Sequence, residues 1–206
     1  MTGLLSSGMS GFSLNHSDIG GYTSVSHPLL GRHRSEELLK RWMELNAFTA
    51  IYRTHESNRP EENIQVYSSP EMLEQFEQFA RVYRAWGFYR KQLVQEAAAT
   101  GLPVVRHMFV HYPDDPNVYD ISYEQFMVGD EFIVAPVLDP GATRVKAYLP
   151  AGRWVHLWTG QVYSNPNAGQ TVTVEAPIGQ PCVFYREGSM VGAQFVANLR
   201  TEGVIY

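Results

Sequence analysis

The sequence predicts an α/β first part followed by an antiparallel β-module, and three observations carry that reading. Two stretches of the first half repeat apolar residues at helical spacing, and the second runs directly into a β-favouring segment. From about Phe132 onward only short strand-like pieces remain, parted by Gly, Pro and Asn turns. The 206 residues are 44% hydrophobic, enough for a packed core, which excludes a disordered or collagen-like chain.

The opening run from Met1 to Leu14 has no earlier helix or strand to pack on, so it reads either as a truncated start or as a flexible one. Phe12-Ser13-Leu14 is expected to be a short strand passing into the loop His16-Ser17-Asp18-Ile19-Gly20-Gly21-Tyr22. Ser35 before Glu36 and Glu37 reads as an N-cap, and Leu38, Leu39, Trp42, Met43, Leu45 and Phe48 predict a helix to about Ile51. The segment from Arg53 to Pro60 is too polar to continue it and is expected to be a loop. Ser69-Pro70-Glu71 then opens a long second helix through Phe76, Phe79, Tyr83 and Leu93 to near Gly101. Pro103 to Val110 reads as the next strand of a βα repeat with a parallel sheet. The boundary is placed near Gly129 to Ala135, giving parts 1–131 and 132–206. Strands are expected at 132–138, 145–149, 154–158, 171–174 and 183–186.

Lys and Arg number 16 against 21 Asp and Glu, a formal charge of −5, and no basic run could neutralise a row of phosphates. Nucleic acid is therefore not an expected partner. No apolar stretch reaches the roughly 18 residues that cross a bilayer, so no membrane association is expected either. The single cysteine, Cys182, can form no internal disulfide and sits in an apolar setting that leaves its thiol inert. A cytoplasmic protein is expected, and its oligomeric state is left open.

Two segments are dense in functional groups. Asp18 lies at the end of a strand before the Gly20-Gly21 turn; it either caps that turn or serves a site, and both roles are compatible. The two glycines open backbone angles closed to other residues, so Tyr22 either swings toward a pocket or packs beneath the loop. His55, flanked by Arg53, Glu56, Asn58 and Arg59, stands either in a solvated loop with internal salt bridges or in one that holds a polyhydroxylated ligand. His107 and His111 could share one side of a strand, but no third residue stands at a metal-binding spacing; neither a metal nor a cofactor is expected. Nucleophile-elbow, P-loop, dinucleotide-binding and zinc-protease motifs do not occur.

The runs His16–Tyr22 and Arg53-Thr54-His55-Glu56-Ser57-Asn58-Arg59-Pro60, with Phe132-Ile133-Val134-Ala135-Pro136-Val137, together resemble glycoside hydrolase family 31, the α-glucosidase clan. Most of that family ends the first motif in Phe. Tyr22, followed by the second run, is similar to its sulfoquinovosidase branch, as are the segments 101–106, 154–160 and 176–179.

The resemblance implies the C-terminal part of a (β/α)8 barrel followed by an antiparallel β-sandwich. It implies a retaining glycosidase acting on a small glycoside, with an aspartate nucleophile and an aspartate acid/base that both lie upstream of Met1. No catalytic residue is then expected in these 206 residues, and the chain alone is expected to be inactive. By position, Tyr22 matches a tyrosine that holds the sulfonate of sulfoquinovose through water, and His55 a histidine that bonds a ring hydroxyl. Asp18, Gly20, Gly21 and Arg53 support the pocket. Ser57 stands where the pattern has Gly. An α-glucosidase or α-xylosidase of the same family, or a non-catalytic sugar-binding module, are the alternative readings.

Overall fold

The structure, a computed structural model, describes residues 1–27 and 31–206. It begins with helix α1 (Thr2–Met9), where a flexible start was one reading of the sequence; Leu4, Leu5 and Gly8 are buried, and Gly8 lies close to the Pro103 ring. The strand expected at Phe12–Leu14 does not form. In its place a single parallel bridge joins Ile19 to Thr54, with Ile19 N donating to Arg53 O (2.8 Å) and His55 N to Ile19 O (3.3 Å). This bridge sets the two polar motifs side by side, pointing the same way.

Helix α2 (Glu36–Asn46) starts on Ser35, whose hydroxyl accepts from Leu38 N, with Glu36 and Glu37 in the first turn. It stops five residues short of the expected Ile51, because Thr49 takes the Asn46 carbonyl with both its hydroxyl (2.9 Å) and its N–H (3.1 Å). The expected single second helix is two, α3 (Pro70–Ala85) and α4 (Gly87–Thr100). The break falls at Trp86, whose buried indole donates to the Ala47 carbonyl (2.7 Å), followed by Gly87, a poor helix residue. Apolar spacing continues across the joint, so the pattern alone could not reveal it.

Strand β1 (Val105–Arg106) pairs antiparallel with β2 (Phe126–Val128), which corrects the expected parallel βα repeat. The residues between them form two single-turn 3-10 helices, Met108–Val110 and Pro116–Val118, and no crossover helix that a parallel connection would need. His107 accordingly begins a turn and does not share a strand face with His111. β3 (Phe132–Ala135), β4 (Arg144–Leu149), β5 (Gly152–His156), β6 (Val162–Asn165), β7 (Gln170–Glu175), β8 (Cys182–Arg186) and helix α5 (Met190–Thr201) complete the chain. The main sheet runs β1-β2-β3-β8-β5-β6, and β4 pairs with β7 separately. The division expected between residues 131 and 132 falls in the turn of the β2–β3 hairpin.

Side chains of the central strands alternate between two cores. Phe126, Val128, Phe132, Val134 and Val183 join α5 (Phe195, Leu199) and the helices of the first half in one; Met127, Ile133, Ala135, Cys182 and Phe184 face Ala147, Leu149 and Val174 of the small sheet in the other. The two halves of the chain thus share a core. A polar seam reinforces it: the Glu44 carboxyl, pushed above its ordinary range by burial, accepts from Gly179 N (2.7 Å) and from Arg41 (2.9 Å).

Candidate sugar-binding site

The parallel bridge brings Tyr22 and His55 into contact. Their ring centroids are 5.1 Å apart at 89°, an edge-to-face arrangement, and Tyr22 is 59% exposed. Tyr22 thus swings outward and does not pack beneath its loop. Gly20 (φ +90°) and Gly21 (φ +70°) make the turn that aims it, and Gly21 N donates to the Asp18 backbone carbonyl (2.9 Å). The Asp18 side chain therefore does not cap the turn. It accepts from Arg53 Nε (2.7 Å) and faces His16 Nε2 (3.2 Å), tying one motif to the other. The hydrogen bond from Arg53, with its charge and with His16 against a small burial cost, holds the Asp18 carboxyl below the usual carboxylate range.

His55 is half-buried, and its Nδ1 accepts from the Ser57 N–H (3.0 Å). That bond leaves the neutral ring its proton on Nε2, a donor suited to a sugar hydroxyl. Ser57 has φ +80°, which accounts for a pattern that places Gly there; its hydroxyl accepts from Asn63 Nδ2 (2.9 Å) and Arg59 N (3.0 Å). Three more polar side chains of the second motif are engaged within the protein. Arg59 pairs with Glu62 (2.9 Å), Glu56 accepts from the Tyr67 hydroxyl (3.0 Å), and Asn58 bonds both backbone groups of Ser24.

Sequence reasoning missed the residues that knit these loops: Ser24, Arg34, Asn63 and Gln65. Asn63 Oδ1 accepts from Ser24 Oγ (2.8 Å) and Arg34 N (2.7 Å), and Gln65 Nε2 donates to Glu56 O (2.9 Å) and Pro60 O (3.0 Å). Each is buried. A polar residue in a loop is ordinarily solvated, so nothing in composition or spacing marked them.

Among the described residues no group of three or more His, Cys, Asp or Glu could hold a metal ion, and no helix is long and apolar enough to cross a membrane. Residues 1–94 match the glycosyl hydrolases family 31 TIM-barrel domain, and residues 101–191 the glycosyl hydrolase family 31 C-terminal domain. The chain is 45% identical over 202 residues to a sulfoquinovosidase of Agrobacterium fabrum, covering 98% of this chain and 29% of that protein. It is 44% identical over 193 residues to a sulfoquinovosidase of Escherichia coli, covering 94% and 27%. A family 31 sulfoquinovosidase from E. rectale, solved with an aza-sugar inhibitor, superposes with a TM-score of 0.88 at 40% identity, covering 97% of this chain and 28% of that one. The chain spans less than a third of the length of these relatives, and across both matched domains it belongs to glycosyl hydrolase family 31.

Proposed function

We propose that this chain supplies the sugar-recognition side of a retaining family 31 glycosidase that cleaves α-linked sulfoquinovosyl glycosides such as sulfoquinovosyl glycerol. In this reading His55 Nε2 donates to a ring hydroxyl, and the Tyr22 hydroxyl orients the water that completes the shell of the sulfonate. Asp18, Arg53, Gly20 and Gly21 hold these two side chains in place. The nucleophile and the acid/base are assigned to aspartates outside these 206 residues; Asp18, held ionised by Arg53, is unsuited to giving up a proton. The observation that carries the proposal is the 5.1 Å contact of Tyr22 with His55, an exposed and a half-buried polar ring converging from separate motifs. Identities of 44–45% with two sulfoquinovosidases support the sulfonated sugar. A reducing compartment such as the cytoplasm suits the lone Cys182, whose thiol burial pushes up to about 12.

The test is release of 4-nitrophenol from the α-sulfoquinovoside and from the α-glucoside by the full-length polypeptide carrying this chain, with Tyr22 and with Tyr22→Phe. Loss of the hydroxyl is expected to cost about 1–3 kcal/mol in kcat/KM on the sulfonated substrate, and less on the glucoside, which has no anion to solvate. Equal losses on the two substrates would remove Tyr22 from sulfonate recognition.

A further inference from the structure

Arg34 belongs to neither polar motif, yet its guanidinium touches both. It is 5% exposed and uses all five of its N–H donors. Nε donates to Gly20 O (3.0 Å), Nη2 to Gly21 O (3.0 Å) and His55 O (2.8 Å), and Nη1 to Ile64 O (3.2 Å) and Gln65 Oε1 (3.2 Å). Every acceptor is neutral. Among the described residues no carboxylate pairs with it; that of Glu56, the residue after His55, is taken by the Tyr67 hydroxyl.

A buried cation with only neutral partners is costly, since desolvation of an ion outweighs several ordinary hydrogen bonds. Tying two loops together does not require a charge, as Asn63, which accepts from the Arg34 N–H, shows with four neutral bonds. What Arg34 adds is reach and sign. It holds the carbonyls of Gly21 and His55 with one nitrogen, fixing the peptide that enters Tyr22 and the one that leaves His55. Because a trans peptide points its N–H opposite its C=O, the N–H groups of Tyr22 and Glu56 are aimed away from the guanidinium, so positive charge and N–H dipoles act in the same direction. Gly20 permits the approach, because a Cβ there would collide with the guanidinium.

We propose that Arg34 is a positioning residue of the sugar site, locking Tyr22 and His55 in their ring contact, and that its unneutralised charge makes the mouth above Gly20 and Gly21 favour an anionic sugar over a neutral one. The second half rests on the reading of Tyr22 and His55 as sugar-binding residues; the first does not.

The experiment uses the full-length polypeptide carrying this chain, with Arg34→Lys, which keeps the charge but not the span, and Arg34→Ala. The nuclear Overhauser contact between the Tyr22 and His55 rings is followed alongside titrations with sulfoquinovose and with glucose. The contact is expected to vanish in both variants while amide signals of the main sheet stay in place. In Arg34→Ala it should return on addition of ethylguanidinium but not of ethylammonium. The preference for sulfoquinovose over glucose should fall about tenfold in Arg34→Ala and less in Arg34→Lys, as expected for loss of one nearby charge. A ring contact that persists in Arg34→Lys overturns the positioning role, and that variant decides alone if Arg34→Ala does not fold. An unchanged preference in Arg34→Ala overturns the charge effect, and so does a full tenfold fall in Arg34→Lys, which keeps the charge. A wild-type full-length polypeptide that binds neither sugar overturns the sugar-site reading, and with it the anion preference, while the ring contact still decides the positioning role.

Discussion

In β3 the side chains from Phe132 to Ala135 alternate between two apolar cores, whereas the loops around Tyr22 and His55 are held by Arg34, Asn58, Asn63 and Gln65 bonding to backbone and to each other. The first kind of contact is non-directional: it adds up over area and yields only if volume is lost. The second is directional, so each bond fixes a geometry, and losing one atom strands another. A sugar site needs hydrogen-bonding groups placed to within a fraction of an ångström, which packing alone does not deliver. The comparison therefore predicts global consequences from damage in one region and local consequences in the other.

Phe132→Ala should give the largest effect. The ring is fully buried and packs on Tyr89 (centroids 5.5 Å) and Phe195 (5.1 Å), so it joins the sheet to helices from both halves of the chain. A loss of about 3–5 kcal/mol is expected, the range for a large-to-small change in a core. Tryptophan fluorescence and far-UV circular dichroism in urea should move together. Separate midpoints for the two probes would show that the two halves do not share one core.

Ser57 sharpens the other side of the comparison. Ser57→Ala removes the acceptor for Asn63 Nδ2 and Arg59 N while keeping the left-handed backbone, and should cost about 1–3 kcal/mol. Ser57→Gly loses the same two bonds but relaxes the φ of +80°, and should recover about 1 kcal/mol relative to alanine. Hydrogen exchange is expected to quicken at Arg59 in both variants and not at Ile133 of the sheet. Equal stability of the two variants would mean that the backbone carries no strain there.

The same contrast governs what could be read from the sequence. Apolar alternation and capping residues marked α2, the start of α3, and the strands β3, β4, β5, β7 and β8, because burial is written residue by residue. β2 was missed since Phe126-Met127-Val128 is only three residues long, and α5 because Gly192 and Ser189 resemble turn residues, although Ser189 in fact caps the helix. At the site, Tyr22, His55, Asp18 and Arg53 stood out through the motif resemblance, and the structure brings them together. Arg34 and Asn63 could not stand out, because their partners are main-chain groups that any sequence possesses.

His156 gives the smallest expected effect and crosses the comparison, being a polar side chain placed inside the apolar region. It is 4% exposed, lies against Phe184 (5.2 Å), and bonds Thr159 Oγ1 through Nδ1 (2.9 Å), while Nε2 is buried without a partner. Burial lowers its pKa from 6.5, so the folded chain prefers the neutral ring. The unfolded chain then takes up a proton first as the pH falls. Stability is full above about 6.5 and declines below it until the folded-state ring also protonates. His111, lowered by burial and by Arg106, contributes with the same sign; the Glu44 carboxyl, raised by burial, acts in the opposite sense, and Asp18 acts only below about 3.8. Urea midpoints measured between pH 7.5 and pH 5 should therefore fall toward the acid side, and His156→Gln should reduce that fall without abolishing it. An undiminished fall in the variant would assign the slope to groups other than His156, and the unpartnered Nε2 would then carry no proton-linked cost.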